Sequence, residues 1–228
     1  MTDAIKEVVL DVETTGLDPK EGHRIVEIGA IKLENKLPTK EIFHYYINPE
    51  RDMPQVAYNI HGISAEFLKD KPIFKTIADE FWNFVKGSRL IIHNAPFDLK
   101  FLNYELSLCA KPSINSFEVI DTLLLARKLY PGKKASLDAL CTKFKVDISH
   151  RQFHGALKDS ELLAFVYFHL TGGNNQRTLL HKEEQSMARL KKEALNYKIK
   201  LQQPTSSELE NHKEMVNKIE NAIWSRVL

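Results

Sequence analysis

The chain has 228 residues, of which 43% are hydrophobic and 27% charged, and its formal net charge is +2. This length allows one well-buried domain with an appendage but is short for two full domains. The near-neutral charge excludes a global electrostatic argument for a nucleic-acid partner, so any such argument must come from local residues.

Three strand-like runs come first in the chain. Ile5–Leu10 is apolar and β-branched, which predicts a buried strand, and Arg24–Leu33 alternates with a period of two. Glu41–Ile47 is a third candidate, and Asn48-Pro49 ends it. Because the connections between these runs are short, we expect an antiparallel meander.

Strands and helices alternate after the meander, beginning with a helical turn around His61-Gly62-Ile63. The later predicted elements are a helix at Ile77–Val85, a strand at Arg89–Ile92, a helix after Asn94, a strand at Val119-Ile120, and helices at Thr122–Tyr130, Leu137–Phe144 and Ala156–Leu170. Asn94, Asp121 and Ser136 are predicted N-caps, and Gly172-Gly173 ends the last helix. This order predicts an α/β fold in which helices flank a mixed five-stranded sheet, within residues 1–173.

The chain after residue 173 has a different composition. Residues 174–204 are polar and rich in Lys, Gln and Glu, which predicts a flexible linker. A last helix is expected within 205–228, where Ser207 and Glu210 form a capping-box pattern. Its apolar stripe consists of Leu209, His212, Val216, Ile219 and Ile223. Two alternatives stay open, because this stripe can fold back onto the core or dock on a partner protein.

Several features favour a cytoplasmic protein without a membrane partner. No N-terminal signal pattern precedes the first strand. The longest apolar run, Leu162–Phe168, is far shorter than the roughly 20 residues of a membrane helix. Cys109 and Cys141 lie in apolar helical patterns, which indicates buried, reduced thiols.

Carboxylates come from three separate places in the chain. Asp11 and Glu13 lie two residues apart at a strand end and therefore project to one face. Asp98 lies in the first turn of a predicted helix, and Asp159 follows His154 by five residues. Each has an ordinary alternative, namely a solvent-facing turn, helix-dipole stabilisation or a solvated helix entry. If the fold brings them together, they suit two divalent metals and phosphodiester hydrolysis, and a neutral His154 can accept a proton from water.

The ordered set Asp11-x-Glu13, Asn94-x-x-Phe97-Asp98 and His154-x-x-x-x-Asp159 resembles the DEDD exonucleases of the histidine-containing subclass, which have a ribonuclease H-like fold. This resemblance spans residues 5–173. The segments ETTGL, HGISAEFLKDKP, IIHNAPFD, ARKLYPGK and HGALKD, together with the tail, are similar to the proofreading subunits of bacterial DNA polymerase III. The resemblance implies removal of mispaired 3′-terminal nucleotides by two-metal hydrolysis during DNA replication.

The resemblance also implies a role for each site residue. Asp11, Glu13, Asp98 and Asp159 would hold two Mg²⁺ or Mn²⁺ ions, with His154 as the general base. The implied substrate-binding residues are Glu13, Thr14, Leu17, Val56, His61, Asn94, Phe97 and Asp159. Val56 departs from the family, which often has an acidic residue there, so its contact with the terminal nucleotide is in doubt. Leu17 can wedge against the terminal base.

The implied partners are the single-stranded 3′ end of DNA, the polymerase III catalytic (alpha) subunit through the tail, and the sliding clamp. Gln176-Arg177-Thr178-Leu179-Leu180 resembles short clamp-binding peptides, with Gln176, Leu179 and Leu180 as the contacts, although an ordinary linker stretch is the alternative. Lys128, Lys133 and Lys134 form a small basic patch that is either a solvated surface or a phosphate contact.

Two other functions are compatible with these residues. One is RNA trimming by an oligoribonuclease-like exoribonuclease of the same superfamily, which would usually lack the linker and the terminal helix. The other is a non-catalytic scaffold that only binds a polymerase, although all five acidic and histidine positions are intact. Turnover of single-stranded DNA compared with short RNA separates the first, and metal-dependent nuclease activity separates the second.

Overall fold

The computed structural model describes residues 6–114, 117–148, 153–172 and 204–218. The chain divides into two units, Met1–Arg177 and Thr178–Leu228, each of which is considered by itself. No helix in these described ranges is long and apolar enough to cross a bilayer.

Five strands of the first unit form one mixed sheet in the order β3-β2-β1-β4-β5. They are β1 (Glu7–Thr14), β2 (Ile25–Glu34), β3 (Leu37–Tyr46), β4 (Arg89–Ile92) and β5 (Val119–Asp121). The first three pair antiparallel, whereas β4 runs parallel to β1 and β5 runs parallel to β4. The predicted meander and the mixed five-stranded sheet are therefore confirmed.

Helices follow each part of this sheet. In the described part of the first unit they are α1 (Gln55–His61), α2 (Ala65–Leu68), α3 (Phe74–Val85), α4 (Ala95–Leu108), α5 (Thr122–Leu129), α6 (Leu137–Lys143) and α7 (Ala156–Leu170). A short 3-10 turn, Pro19–Glu21, lies between β1 and β2. In the second unit, α8 spans Ser206–Asn217.

The residues of β1 alternate between two cores. Val8 and Leu10 belong to the core that includes Phe81 of α3 and Phe101 of α4, whereas Val9 packs with α7. Because side chains alternate along a strand, Asp11 and Glu13 continue the face of Val9. The two acids therefore project toward the side of the sheet that α7 covers.

A buried polar network fastens α7 at the other end of this face. The Tyr167 hydroxyl donates to Glu7 Oε1 at 2.7 Å, and Arg89 Nη1 lies 3.4 Å from the same oxygen. Burial, followed by the hydrogen bond to Glu7, raises the pKa of Tyr167 well above its usual value. The network joins α7 to β1 and β4 and so fixes the position of the helix on the sheet.

Element limits differ from the predictions by a few residues. The first strand extends through Glu13 to Thr14 and so contains both acids, and β3 begins four residues earlier than predicted. Cys141 is buried as expected, but Cys109 is only partly buried. The limits of α7 agree with the prediction at both ends.

Of the predicted caps, two are confirmed and two are wrong. Asp121 accepts from the N–H groups of the second and third residues after it, and Ser136 caps α6. Asn94 occupies the N-cap position of α4, but its φ of 65° is left-handed and its side chain makes no capping bond. The capping box of α8 is Thr205 with Glu208, because the same spacing occurs two residues before the predicted pair and extends the helix.

Candidate active site

Two acids and one histidine from distant parts of the chain meet above the sheet. Glu13, His154 and Asp159 each offer a ligand atom, and these atoms all lie within 4.8 Å of one another. His154 Nδ1 is 3.2 Å from Asp159 Oδ2. The structure thus joins residues that the sequence separates by more than a hundred positions.

Asp11 lies in the same cluster of charge. Burial raises the pKa of its carboxyl well above the usual value, and the negative charges of Asp98, Glu13 and Asp159 raise it further. Glu27 adds to the same repulsion, so five carboxylates lie close enough to influence one another, four of which belong to the sequence motifs. The structure therefore brings together all of the acids that the sequence motifs contain.

The N-terminus of α7 is held against β2 directly beside these acids. Glu27 Oε2 accepts from the N–H of Ala156 at 3.0 Å, and the Ser160 hydroxyl donates to the Gly29 carbonyl at 2.8 Å. A Cβ at Gly29 would overlap the backbone of Leu157, so only glycine allows this approach. Gly29 pairs with Asp11 across the β1–β2 ladder, which places Asp159 over the strand that carries the other acids.

Glu27, Gly29 and Ser160 are positioning residues that the sequence analysis did not single out. Glu27 is buried and also accepts a hydrogen bond from His44 Nε2 at 2.8 Å. A glutamate and a glycine among the apolar residues of the first half of β2 were visible signals. What they hold, however, lies about 130 residues further along the chain.

Asp98 is buried at the start of α4 and reaches back to the first strand. Its Oδ1 accepts from the backbone N–H of Val12 at 3.1 Å. Burial raises the pKa of this carboxyl well above its usual value, hydrogen bonds from its own N–H and that of Val12 oppose the rise, and the charge of Glu13 adds to it. The hydrogen bond fixes Asp98 against the strand segment between Asp11 and Glu13.

The imidazole of His154 stays accessible although its backbone is held. The backbone N–H of His154 donates to the Ile60 carbonyl at 3.0 Å, while the side chain is 49% exposed. The preceding residue, Phe153, packs against Gly62, where an added Cβ would be 2.9 Å from the ring. An anchored backbone with an open ring suits a group that exchanges protons with water.

A cavity of about 420 Å³ adjoins Glu13. Its lining includes the predicted substrate-binding residues Glu13, Thr14, Leu17, Val56, His61 and Phe97. Leu17 and Val56 are 74% and 75% exposed and form an apolar rim. Asn94 and Asp159 are not part of this lining, and Asp159 lies instead in the cluster of ligand atoms.

His61 is a buried residue in the lining of this cavity. The ring is buried, and its Nδ1 accepts from the N–H of Ile63 at 3.0 Å, so Nε2 carries the proton of the neutral ring. Burial is the largest influence on the pKa of His61 and lowers it. Nε2 is itself buried, and the backbone of Thr14 lies close enough to raise the pKa of the ring and so to oppose part of the effect of burial.

The donor set fits divalent cations. Carboxylate oxygens are the ligands that Mg²⁺ and Mn²⁺ prefer. Burial, followed by neighbouring negative charges, raises the pKa values of Asp11 and Asp98. Bound cations would neutralise this repulsion. The grouped acidic residues thus form a candidate metal site, and the chemistry of the ligands does not distinguish the two ions.

Other predicted contacts lie elsewhere or outside the described ranges. Lys128, Lys133 and Lys134 are exposed on α5 and the loop that follows it. The predicted clamp-binding residues Gln176, Leu179 and Leu180 lie outside the described residues, as does the linker up to residue 203. Of the predicted docking helix, only 205–218 is described.

Comparison with known proteins places this geometry in context. A family model described as exonuclease matches residues 8–167. Over 223 residues the chain is 55% identical to DNA polymerase III subunit epsilon of Rickettsia felis, which covers 95% of this chain and 97% of that protein. It is 25% identical to Exonuclease X in complex with 5′ overhanging duplex DNA, with a TM-score of 0.59 over 74% of this chain and 93% of that one.

A second solved structure shows the likeness of fold alone. It is the nuclease domain of 3′hExo, a DEDDh family member bound to rAMP, at 19% identity and a TM-score of 0.64. The match covers 76% of this chain and 94% of that domain. The expected ribonuclease H-like fold is therefore confirmed.

Proposed function

This chain belongs to the exonuclease family of DNA polymerase III epsilon subunits, and from this membership we propose that it removes mispaired nucleotides from the 3′ end of DNA during replication. It is a nuclease, with an exonuclease domain over residues 8–167. The observation that carries the proposal is the meeting of Glu13, His154 and Asp159 beside a nucleotide-sized cavity.

The residues of the cluster have distinct roles in this proposal. Asp11, Glu13, Asp98 and Asp159 would hold two divalent ions. When bound, these ions activate the attacking water and stabilise charge on the attacking and leaving oxygens. We propose Mg²⁺ or Mn²⁺ as the ions used.

His154 is the proposed general base. If its Nδ1–H donates to Asp159 Oδ2, 3.2 Å away, Nε2 retains a lone pair that can accept a proton. The exposure of the ring supports this role, since the base must reach a water molecule that arrives with the substrate. His154 therefore acts on the water, whereas the carboxylates act on the ions.

Selection of mispaired ends follows from the shape of the cavity. Its volume suits one nucleotide, and its rim residues Leu17 and Val56 offer apolar contact to a base without reading its identity. A base must leave its duplex to enter, and a mispaired terminus unpairs at a lower cost than a paired one. Discrimination then depends on fraying and not on base recognition.

The tail is proposed to hold the nuclease at the polymerase. Residues 174–204 would be a linker, and 205–228 would dock on the catalytic (alpha) subunit. Leu209 and Met215 on α8 are about half exposed, which supports a role for this helix in docking. The alignment with the Rickettsia felis protein spans 95% of this chain and so includes most of the tail. Tethering raises the local concentration of the nuclease.

Two finer proposals rest on residue patterns alone. The peptide at 176–180 would bind the sliding clamp through Gln176, Leu179 and Leu180. A cytoplasmic location is proposed because the substrate is replicating DNA and because Cys109 and Cys141 suit a reducing compartment.

The test of the function is a time course on a 3′-mismatched primer with Mg²⁺, Mn²⁺ or chelator. We expect hydrolysis with either ion, none with chelator, and faster turnover of a mismatched than of a paired end. A short RNA of the same sequence is the comparison substrate. Preference for the RNA would favour trimming of RNA, and absence of metal-dependent hydrolysis would favour a scaffold.

The tail requires a separate measurement. Leu209→Gln should weaken co-elution with the polymerase catalytic subunit while hydrolysis of a short single strand is unchanged. Glu210→Gln is the matched control, because it changes the next residue of the same helix without removing an apolar group. Full binding by Leu209→Gln would mean that α8 does not dock through this residue.

A further inference from the structure

The segment that follows β5 carries a local excess of positive charge that has no role in the function described so far. Residues 127–145, here called the basic segment, contain six cations and one acid, whereas the whole chain has a net charge of only +2. The cations are Arg127, Lys128, Lys133, Lys134, Lys143 and Lys145, and the acid is Asp138. Such an excess within a short segment creates a local field that attracts a polyanion.

We propose that the basic segment binds the phosphates of the DNA strand upstream of its terminal nucleotide, with Lys133 and Lys134 as the principal contacts. The proposal rests on the proposed function, since it names the surface along which the strand would reach the candidate metal site. Both lysines are exposed. Neither forms an ion pair within the described part of the chain, so both ammonium groups are available to a phosphate.

The sheet places the start of the basic segment at the same edge as the candidate metal site. Because β1, β4 and β5 run parallel, their carboxyl ends meet at one edge. Val9 of β1 pairs with Ile91 of β4, and two residues further along the two strands are Asp11 and His93. The helix α5 also begins at this edge, directly after β5, and leads into the basic segment.

His93 connects the basic segment to the candidate metal site. Its ring forms a hydrogen bond with the backbone of Ala135, the residue after the two lysines. Burial lowers the pKa of His93, and the charges of Arg127 and Asp159 are among those that also act on it. Since such effects need short distances, the first cation of the basic segment and the proposed ligand Asp159 both lie close to one imidazole.

The loop that carries Lys133 and Lys134 has a defined conformation. The N–H of Lys133 donates to the Tyr130 carbonyl at 3.2 Å and closes a turn. Gly132 in this turn has a φ of 74°, as a type II turn requires of its third residue. Ser136 then caps α6. Because the backbone of the loop is already ordered, less conformational entropy is lost when its side chains bind.

The cavity beside Glu13 lies in a different direction from the basic segment. Its lining comes from the end of β1 and the segment after it, from α1 and the residue before it, and from Phe97. Among the described residues, none of β5, α5 or the following loop belongs to this lining. If the terminal nucleotide lies in the cavity and its phosphate at the candidate metal site, the rest of the strand must leave on the side away from the cavity. That direction leads past His93 to the basic segment.

Positive charge at this position also answers an electrostatic need of the site. The carboxylates of the candidate metal site repel a DNA strand. Cations beside them lower the free energy of the approaching polyanion, and they bind phosphates without reading the bases. Contact with the backbone alone suits an enzyme that acts on any sequence.

The test compares substrates that differ in the number of upstream phosphates. The full-length protein is assayed on a single strand of about ten nucleotides and on a dinucleotide, over a range of salt concentrations, with kcat and KM measured separately. The dinucleotide contains only the phosphate that is hydrolysed, so it cannot contact the basic segment. Thermal melting verifies that each variant is folded.

Two double variants and one control are compared with the wild type. Lys133→Ala with Lys134→Ala removes both charges, whereas Lys133→Arg with Lys134→Arg keeps them. Lys86→Ala is the matched control, because Lys86 is exposed and precedes the amino end of β4, at the opposite edge of the sheet.

We expect the double alanine variant to raise KM for the longer strand about tenfold at low salt, with kcat unchanged and the dinucleotide unaffected. The slope of log KM against log salt should become smaller by about 1.4, since each lost contact with a single strand removes about 0.7. The double arginine variant should keep the wild-type KM, because guanidinium groups also bind phosphate. Lys86→Ala should behave as the wild type on both substrates.

An equal rise in KM on the dinucleotide would overturn the proposal, since the lysines would then act on the candidate metal site itself. An unchanged KM and salt slope on the longer strand would show that the basic segment is only a solvated surface. Failure of the proposed function is a separate result, seen as absence of hydrolysis of both substrates by the wild type. Fluorescence anisotropy of the labelled longer strand would then still measure the affinity lost by the double alanine variant, and equal affinities would overturn the proposal.

Discussion

The backbone N–H of Val12 donates to Asp98 Oδ1 at 3.1 Å, so one oxygen of this carboxyl binds the strand that carries Asp11 and Glu13. A residue proposed as a metal ligand is thus also a hydrogen-bond acceptor within the buried frame of the site. These two roles of Asp98 can be separated by replacing it with Asn, because the amide oxygen of Asn can accept the N–H of Val12 but binds a cation weakly.

Replacement of Asp98 should separate the two duties. We expect Asp98→Asn and Asp98→Ala both to lose hydrolysis. Only Asp98→Ala should also lower the free energy of unfolding, by about 1–3 kcal/mol, because it leaves the buried N–H of Val12 without an acceptor. Chemical denaturation in the presence of chelator measures this difference. Equal stability of the two variants would mean that the hydrogen bond to Val12 contributes nothing.

Asp11→Asn should reduce hydrolysis and raise the stability of the protein in chelator. Because Asp11 is a proposed metal ligand, its replacement should reduce hydrolysis on the order of a hundredfold or more. In chelator, the variant should unfold at a higher temperature than the wild type. Burial and then repulsion by neighbouring carboxylates raise the pKa of Asp11, and Asn removes the buried charge on which both act.

Adding Mg²⁺ should raise the melting temperature of the wild type by mass action and that of Asp11→Asn by less. Asp70→Asn, which changes an exposed aspartate in a turn away from the cluster, is the control and should behave as the wild type. If Asp11→Asn were less stable than the wild type in chelator, the repulsion would be too weak to matter.

Gly29→Ala should displace the N-terminus of α7, which carries Asp159, from the sheet. Its Cβ would overlap the backbone at the N-terminus of α7, so the helix must shift away from β2 and carry Asp159 with it. We expect a loss of stability of about 1–3 kcal/mol, as for overpacking of a core, together with reduced hydrolysis. Gly155→Ala is the matched control for stability, because its Cβ would lie 3.7 Å from Glu27 Oε2, an ordinary contact.

His61 should make stability depend on pH. Burial lowers its folded pKa below the usual value, so its stabilising neutral form is fully populated only above the unfolded pKa of about 6.5. As pH falls below that value, the unfolded state binds more protons and stability falls, by at most about 1.4 kcal/mol per pH unit for this one group.

Asn can supply an acceptor for the N–H of Ile63 but does not titrate in this range. Denaturation curves between pH 5 and pH 8 should therefore be flatter for His61→Asn than for the wild type. Parallel curves for the two proteins would show that protonation of His61 is not coupled to unfolding.

Leu17→Ala should weaken binding of DNA without weakening the fold. The side chain is 74% exposed, so its removal should change the free energy of unfolding little. If it contacts the terminal base, KM for a single strand should rise about tenfold, in line with the contribution of one base contact. Leu37→Ala removes an exposed leucine from the far edge of the sheet and is the control for both measurements.

The sequence predicts those parts of the structure that depend on neighbouring residues. The period of two in β2, the common face of Asp11 and Glu13, and the cap of α5 by Asp121 all follow from local patterns. Asn94 differs because its left-handed backbone positions its N–H toward Asp121, 27 residues away, and no local pattern contains that contact.

The contacts that hold α7 against β2 could not be predicted from local sequence patterns either. The motifs identify the acids, but the close approach of α7 to Gly29 depends on a pairing of elements that only the folded sheet defines. Glu27 is an example. A buried carboxylate without a partner is destabilising, and Glu27 gains its partner, the N–H of Ala156, only when α7 packs on β2. For α8, the two capping patterns in TSSELE are equivalent in spacing, so the residue pattern alone does not choose between them.

The attachment of α7 to β2 has a consequence for the life of the protein in the cell. Ser160 and Gly29 are 131 positions apart, and the proposed ligands Glu13 and Asp159 are similarly distant, so a ribosome must synthesise most of the chain before the proposed hydrolytic centre can assemble. A nascent or proteolytically shortened chain without α7 would carry two or three of the acids but neither His154 nor Asp159. Hydrolysis by this centre would therefore begin only after synthesis of the chain has passed α7.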